Sequence, residues 1–295
     1  MFRLKTRAAL VWALVVLCIT PLSLASTLRV HFIDVGQADA ILIQTPAGLN
    51  ILIDAGEKRT ATDLMDYLKE QGVKRLDYLI ATHPHADHIG GMAEVIKSFD
   101  IANIYMPRVA HTTKTYEDLL LTIRDKGLRI HEAKAGVVLD LGEGIEARLV
   151  APASDGYRSL NDYSAVLWLG YGRTRFLFSG DAERISESEM LASGFDLSAD
   201  VLKVGHHGSN TSTTESFLRA VSPTYGVIMV GRNNRYNLPH PDVLKRLTNA
   251  GVTILRTDKH GTIVFSSDGN VLELQVERPG QVQLLTDWEW LGWAA

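Results

Sequence analysis

Within seven residues, Thr82-His83-Pro84-His85-Ala86-Asp87-His88, the chain gathers three imidazoles and a carboxylate. The apolar run 76–81 leads into this cluster and Gly90-Gly91 follow it, so the segment reads as a strand that ends in ligand-type side chains and then bends into a helix. Alternate side chains of an extended chain point the same way. His83 and His85 therefore converge on one point just beyond the strand end, and Asp87 and His88, at the bend, face a second point close by. Glycines at 90 and 91 remove bulk where backbone passes near the site. Imidazoles with a carboxylate suit zinc, or manganese or iron where oxygen ligands dominate. The competing reading, a His-rich surface loop, fits poorly with four ligand-type residues at one strand end.

Such a cluster needs partners from elsewhere in the chain, and the flanking pattern says how they arrive. The first half is strand-rich, with β-type runs at 28–34, 40–45 and 50–54, a helix at 61–70, the buried strand 76–81, a helix at 89–99, a strand at 101–106 and a helix at 116–126. Further strand-like runs cover 129–131, 137–140 and 145–150. The second half repeats this grammar, with a hairpin of 165–171 and 174–179 around Gly172, a helix from 182 to about 193, and a strand at 201–204. Helices at 214–221 and 242–249 then alternate with strands at 225–230 and 253–256, and strands at 261–266 and 271–276 follow. Many strands with interspersed helices predict an α/β (α+β) chain of two sheets packed face to face with helices outside. With no linker or short-period repeat, residues 27–280 are expected to form one domain.

Composition narrows the function. Lys and Arg number 30 against 34 Asp and Glu, a net charge of −4, so the basic excess of a protein held to nucleic acid mainly by charge is missing. A hydrophobic share of 46% with 22% charged residues is ordinary for a globular protein. The only cysteine, Cys18, excludes an intrachain disulfide and a thiolate metal cage. It lies in an N-terminal stretch that reads as an address: Arg3, Lys5 and Arg7, an apolar run 8–20, then Pro21 and Ser23-Leu24-Ala25. The expectation is a signal peptide over 1–25, cleaved after Ala25 to leave an exported periplasmic or extracellular protein with no stable membrane span. The alternative is an uncleaved membrane anchor, although the apolar core is short for a span of about 20 residues. Residues 281–295 hold Trp288, Trp290 and Trp293, read as a cap on an apolar patch of the same domain or as a membrane-interface or partner contact.

The distal ligands are sought at similar strand ends. Ser179-Gly180-Asp181 closes the apolar run 175–178, and Lys203-Val204-Gly205-His206-His207-Gly208-Ser209 closes another. Asp181 is a ligand candidate, or otherwise a helix N-cap. Adjacent histidines on an extended chain face opposite ways, so one of His206 and His207 is expected to bind metal. Ser209, Asn210 and Thr211 either donate hydrogen bonds to a phosphate or cap the next helix.

The His-x-His-x-Asp-His spacing resembles the metal-binding signature of the metallo-β-lactamase superfamily. The run from Ile33 to Ala40 resembles the opening of the metallo-hydrolase domain of ComEC-type competence proteins. So do the His206-His207-Gly208-Ser209 run, and Gly231-Arg232-Asn233-Asn234 followed by Pro239-His240-Pro241. The resemblance implies an αββα four-layer sandwich with a one- or two-metal site along one sheet edge, Asp181 bridging, and a ligand set of His83, His85, Asp87, His88, Asp181 and His206. It favours His206 as the ligand, leaving His207, with Asp87 and His240, as candidate catalytic groups. Departures are Ala38 where the family has Gly, Leu238 where a histidine often stands, and the absence of a histidine between His131 and His206, where Asn161-Asp162-Tyr163-Ser164 matches an Asn-x-x-Ser segment. Asn161 then touches a water or substrate phosphate, or merely begins a turn. The metal position served by His83, His85 and Asp181 is expected to be the more open one.

Asp34, Asp39 and Asp54, with Gln37, lie near strand ends and are read as acceptors for the outer N–H groups of ligand imidazoles. His31 and His260 are read as sheet residues, and His111 and His131 as loop or strand-surface residues. Two divalent cations are implied, Zn2+ first and Mn2+ second, with DNA or another phosphodiester as substrate. Arg232, Arg235, Lys203, Lys245 and Arg246 are candidates for a local basic patch, Arg232 as a substrate contact. A small-substrate envelope hydrolase acting on a phosphoester, lactone or β-lactam, and a non-catalytic metal-stabilised envelope protein, are the alternatives.

Overall fold

The structure, a computed structural model, describes residues 27–278. The expected signal peptide and the Trp-rich tail lie outside the described residues. Alternating apolar residues build the first sheet from β1 (Leu28–Phe32), β2 (Ile41–Gln44), β3 (Asn50–Ile53), β4 (Arg75–Ile80), β5 (Asp100–Met106) and β6 (Ile130–Glu132). The second takes β7 (Ile145–Ala151), β8 (Val166–Tyr171), β9 (Thr174–Phe178), β10 (Val201–Lys203), β11 (Tyr225–Ile228) and β12 (Thr253–Arg256). The last two strands, β13 (Ile263–Ser267) and β14 (Leu272–Val276), return to the first sheet, whose order is β14-β13-β1-β2-β3-β4-β5-β6 against β12-β11-β10-β9-β8-β7 in the second.

The period of two sorts the strands into layers. Val30, Phe32, Ile41, Ile43, Ile51 and Ile53 meet Phe176, Phe178, Val201 and Val227 between the sheets. Their neighbours Leu42, Leu52 and Leu79 face outward onto α1 (Ala61–Glu70), α2 (Ala86–Ile89), α3 (Met92–Ser98) and α4 (Lys114–Asp125). On the other side Leu177, Leu202 and Ile228 pack beneath α5 (Arg184–Ala192), α6 (Glu215–Val221) and α7 (Pro241–Asn249). The result is the expected α-β-β-α layering. At its middle Phe32 packs on Phe178 and Phe265 with ring centroids 6.0 and 6.2 Å apart, and each such buried side chain contributes about 1.5–3 kcal/mol.

Three local expectations change. The helix read over 89–99 shortens to α3, preceded by a separate turn of helix, α2; between them a Cβ on Gly90 would stand 2.6 Å from the Lys58 nitrogen and one on Gly91 would strike the Ala55 carbonyl. These glycines let the metal-motif loop lie against the backbone leaving β3. The run 137–140 keeps only an isolated bridge from Val138 to Arg148. His260 ends a short helix, α8 (Thr257–His260), rather than lying in a strand.

Strand direction places the site. β3 and β4 run parallel, as do β9, β10 and β11, so within each sheet the carboxyl ends share one edge. Ala165 N–H donates to the Thr82 carbonyl at 2.9 Å and ties the two edges together.

Candidate metal centre

Asp54, directly after β3, organises from behind the motif loop that follows β4. Its carboxylate accepts from Thr82 N–H at 2.8 Å, from Thr82 Oγ1 at 2.7 Å, and meets His88 Nδ1 at 2.7 Å. Burial raises the Asp54 carboxyl above its ordinary value, and His88 opposes that rise. With Nδ1 so engaged, His88 turns Nε2 towards Asp181 Oδ2 at 3.3 Å and Asp87 Oδ2 at 3.8 Å. Burial alone would depress His88, but Asp181, Asp54 and Asp87 hold it well above the usual imidazole range. Asp87 behaves conversely: burial works against its charge, and His88 and His207 keep it below the usual carboxylate range.

His83 and His85 occupy the other side. His83 Nε2 faces His85 Nδ1 at 2.8 Å, and His83 Nδ1 lies 3.1 Å from Thr82 Oγ1 and 3.4 Å from Ser164 Oγ. Burial, with His88 nearby, lowers His83 well below its ordinary value.

Asp181 follows β9 through Gly180, where φ is 51° and a Cβ would press on Ser164 and Thr82 at 3.1 Å. Its N–H donates to Ser164 Oγ at 3.0 Å. Burial opposes its charge, while His88, His207 and Lys203 hold it well below the usual range.

The consecutive histidines depart from expectation. They are not extended: His206 has φ 47°, ψ 50° and His207 φ 51°, ψ 25°, a left-handed pair inside the turn Gly205–Gly208. Non-glycine residues rarely take this conformation, which costs about 1–3 kcal/mol each. The turn throws the rings to different surroundings. His207 is buried, gives Nδ1 to the Met229 carbonyl at 2.8 Å, and brings Nε2 to Asp87 Oδ2 at 3.2 Å and Asp181 Oδ2 at 3.6 Å. His206, 27% exposed, engages Glu183 through Nδ1 at 3.1 Å and keeps Nε2 3.8 Å from Asp181. The placement thus runs opposite to the expected roles: His207 joins the cluster and His206 stands at its open flank.

Lys203, considered at the sequence level only for a surface patch, is fully buried. It takes the inward-facing position at the end of β10, bonds the Gly180 carbonyl at 2.6 Å, approaches Asp181 Oδ1 at 3.4 Å and pairs with Asp39. Burial lowers its basicity, but Asp39 and Asp181 outweigh burial and raise it. An apolar strand interrupted by a lysine at an inward register was the available signal.

The remaining candidates divide. Asp39 lies behind His207, 3.4 Å from Nδ1. Asp34 does not serve a ligand imidazole; it pairs with Arg278 at 2.7 Å because its loop turns towards the far end of β14. His240 caps α7 by accepting from Asp242 N–H at 3.2 Å, half-exposed and outside the cluster, which removes the reason for a catalytic role. Asn161 Nδ2 lies 3.3 Å from Glu183 Oε1 and 3.4 Å from His206 Nδ1, and its buried Oδ1 lacks a partner. Thr211 donates to Glu183 at 2.7 Å and meets Ser209 Oγ at 3.0 Å, so both belong to the His206 flank. Those bonds, against burial, bring Glu183 down to about 2. The Asn210 carbonyl accepts from Arg184 at 2.9 Å. Gln37 accepts from Gly231 N–H at 3.0 Å, and Arg232 Nε donates to the Asp258 carbonyl at 2.8 Å. The basic patch does not gather as one: Lys245 and Arg246 line a different cleft from Arg232 and Arg235. His31 sits in β1 against Tyr67 Oη at 2.8 Å.

Ligand atoms of Asp87, His88, Asp181 and His207 all lie within 4.8 Å of one another. Two further observations fit a cation there. His88 Nε2 is buried with no hydrogen-bond partner of acceptable geometry. Among the described residues, Asp39, Asp54, Asp87 and Asp181 meet only one permanent cation, Lys203, and unpaired buried charge is costly unless an ion or proton compensates it. The donor set, imidazoles with carboxylates, suits a divalent transition metal.

Residues 33–232 match the sequence profile of the Metallo-beta-lactamase superfamily, and the chain belongs to that superfamily. Its fold and Asp/His cluster are those of a metallo-hydrolase with a candidate two-metal site. Within the superfamily the chain is similar to competence proteins. It is 33% identical over 281 residues to ComE operon protein 3 of Bacillus subtilis, covering 90% of this chain and 36% of that protein. It is 34% identical over 234 residues to Competence protein ComA of Neisseria gonorrhoeae, 79% and 31% of the two chains. The chain spans about a third of the length of these relatives. A shorter likeness, 41% over 69 residues and 20% of this chain, is to Ribonuclease J of Synechocystis. Among solved structures, Igni18, a metallo hydrolase of Ignicoccus hospitalis, matches with TM-score 0.52 at 16% identity over 81% of this chain and 98% of its own. YhfI of Bacillus subtilis matches with TM-score 0.53 at 11% identity over 81% and 100%. No helix among the described residues is long and apolar enough to cross a membrane.

Proposed function

We propose that this protein is an exported metal-dependent phosphodiesterase that cleaves nucleic acid with two divalent cations, zinc or manganese. The observation that carries the reading is the convergence of Asp87, His88, Asp181 and His207 from two sheets within 4.8 Å. Asp87, His88, Asp181 and His207 would hold one cation, and His83, His85 and Asp181 the other. Bound there, the cations supply Lewis acidity and lower the pKa of water towards about 7. The chain's own groups do the rest. Asp54 and the Met229 carbonyl fix the rings of His88 and His207, and Lys203 orients Asp181. His206, held by Glu183, Asn161 and Thr211, presents Nε2 on the open flank to a phosphoryl oxygen. Nucleic acid as substrate is supported by the names of similar proteins, among them Recombination protein 2 and Ribonuclease J. Export rests on the basic-apolar stretch 1–25.

The test measures bound metal by mass spectrometry, then turnover of linear and circular DNA, bis-p-nitrophenyl phosphate and nitrocefin beside Asp181→Ala. DNA and phosphodiester cleavage that disappears in Asp181→Ala supports the proposal. Nitrocefin turnover alone, or metal retained without any turnover, overturns it. N-terminal sequencing of the secreted product tests export, which fails if the protein begins at Met1.

A further inference from the structure

A cleft of about 590 Å³ has walls that include Gln37, Glu57, Arg59, Arg232, Arg235 and Tyr236. Each wall is continuous with the site. Gln37 precedes Asp39 by two residues, Glu57 follows Asp54 by three, and Gly231 follows Met229, the acceptor for His207, by two. The cleft's walls are thus built by the loops that carry or follow Asp39, Asp54 and Met229, and Gly56 N–H bonds the Asp39 carbonyl between two of them.

Its charge is opposite to that of the chain. Three guanidinium groups meet one lining carboxylate, Glu57, in a protein of net charge −4. Arg59 pairs with Glu57, but both are solvent-accessible, and such pairs are worth only about 0–1 kcal/mol, so Arg59 can exchange its partner for a phosphate. Arg232 uses Nε on the Asp258 carbonyl and is exposed. Arg235 lies over the Tyr236 ring at 4.9 Å and donates to its hydroxyl at 2.8 Å. Tyr236 is nonetheless 55% exposed, leaving ring surface open to a ligand.

The loop that presents these groups is built to be rigid. Asn234 ties it from inside: Nδ2 donates to the carbonyls of Gly231 and Leu238 at 3.1 and 2.7 Å, and Oδ1 accepts from the N–H groups of Tyr236 and Leu238 at 3.2 and 3.0 Å. Asn233 and Asn237 take φ of 51° and 54°, a region asparagine tolerates better than most residues. A Cβ on Gly231 would stand 2.7 Å from the Gln37 nitrogen, so the loop base is clamped to the opposite wall. A preorganised loop that holds cations and an open ring towards solvent loses little entropy on binding.

We propose that this cleft is the track for a single-stranded polynucleotide, whose phosphates meet Arg59, Arg232 and Arg235 and one of whose bases stacks on Tyr236. Nothing in that pairing reads sequence: guanidinium groups follow the backbone, and a π-face accepts any base. A duplex, whose bases are already stacked on one another, cannot use the ring. The inference deepens the nucleic-acid reading above and rests on it for the direction in which the strand reaches the metals.

The test uses fluorescence anisotropy of a fluorescein-labelled 12-nucleotide single strand with the full chain in EDTA, at several salt concentrations, with thermal melting to verify that each variant folds. Each phosphate contact on a single strand contributes a salt slope of about −0.7. The double variant Arg232→Glu/Arg235→Glu is expected to weaken binding at least about tenfold and to flatten the slope by more than 1. Tyr236→Ala is expected to weaken binding about tenfold with the slope unchanged. The double variant Lys69→Glu/Lys74→Glu, at two exposed positions away from the cleft lining, makes the same change in net charge and should bind as the parent does. Variants that fold and bind within about twofold of the parent, or a blunt duplex of the same sequence that binds as tightly, would overturn the proposal. Turnover of bis-p-nitrophenyl phosphate by the metal-loaded parent is read separately. Turnover combined with unaltered strand binding in the variants sinks the cleft and leaves the phosphodiesterase. No turnover combined with lost binding sinks the phosphodiesterase and leaves the cleft.

Discussion

The two sides of the cluster are built differently, although both draw on the same motif. On the His88–His207 side each ring has its outer nitrogen taken by a buried acceptor, Asp54 or the Met229 carbonyl, and each inner nitrogen points at Asp87 and Asp181. On the His83–His85 side ring nitrogen faces ring nitrogen at 2.8 Å, and the second half offers His206 only at the flank, tied to Glu183. The difference teaches that the rings on one side are fixed from behind by buried acceptors, whereas those on the other are held chiefly by each other.

Asp181 faces both sides, so Asp181→Ala is expected to have the largest effect, a loss of phosphodiester turnover of about a thousandfold with bound metal falling in mass spectrometry. Activity that survives would dissolve the comparison altogether. His207→Ala and His206→Ala separate the sides more finely. The first should cost about a hundredfold in metal affinity by competition with a chromophoric chelator, and the second less than about tenfold. The reverse order would break the asymmetry. Asp54→Ala removes only the support behind His88 and should cost about 10–100-fold in metal affinity, with His88 losing its fixed ring orientation in nitrogen-resolved NMR spectra.

The remaining prediction concerns stability, at a histidine that lacks carboxylate neighbours of this kind. Burial, with Arg29 adding to it, lowers His31 to about 4 from an ordinary 6.5. A group depressed in the folded state contributes its full stability above pH 6.5, and loses it as the unfolded chain takes up the proton between pH 6.5 and about 4. The expected loss is up to about 3 kcal/mol, read by urea unfolding across that range. His31→Leu should flatten the profile there, and an unchanged profile would show that His31 opens to solvent.

Much of this architecture was legible before any coordinates. Strand-like runs with interspersed helices predicted two sheets face to face with helices outside, and Phe32 and Phe178 do meet between the sheets while Leu42 and Leu177 face the helices, because side-chain direction in a strand alternates. Asp87, His88 and Asp181 do come together, and the signal for them was the strand end that precedes each. The roles of His206 and His207 were not, since the argument required extended backbone and the structure bends both into the left-handed region. Lys203 was hidden for a related reason: its charge suggested surface, and only the register of β10 against β9 and β11 shows that it points inward. Arg59 was invisible as a partner of Arg232 because 173 residues separate the two in sequence. No local pattern spans such a gap.

Lys203 has one more consequence. Its ammonium balances Asp39 and part of Asp181 from within the polypeptide, so the chain carries a covalently attached counter-ion that no chelator can remove. A zinc finger collapses when stripped of its ion. Here the hydrophobic layers pack beside a partly neutralised cluster, and demetallation should silence the protein while leaving its scaffold standing, ready to be recharged.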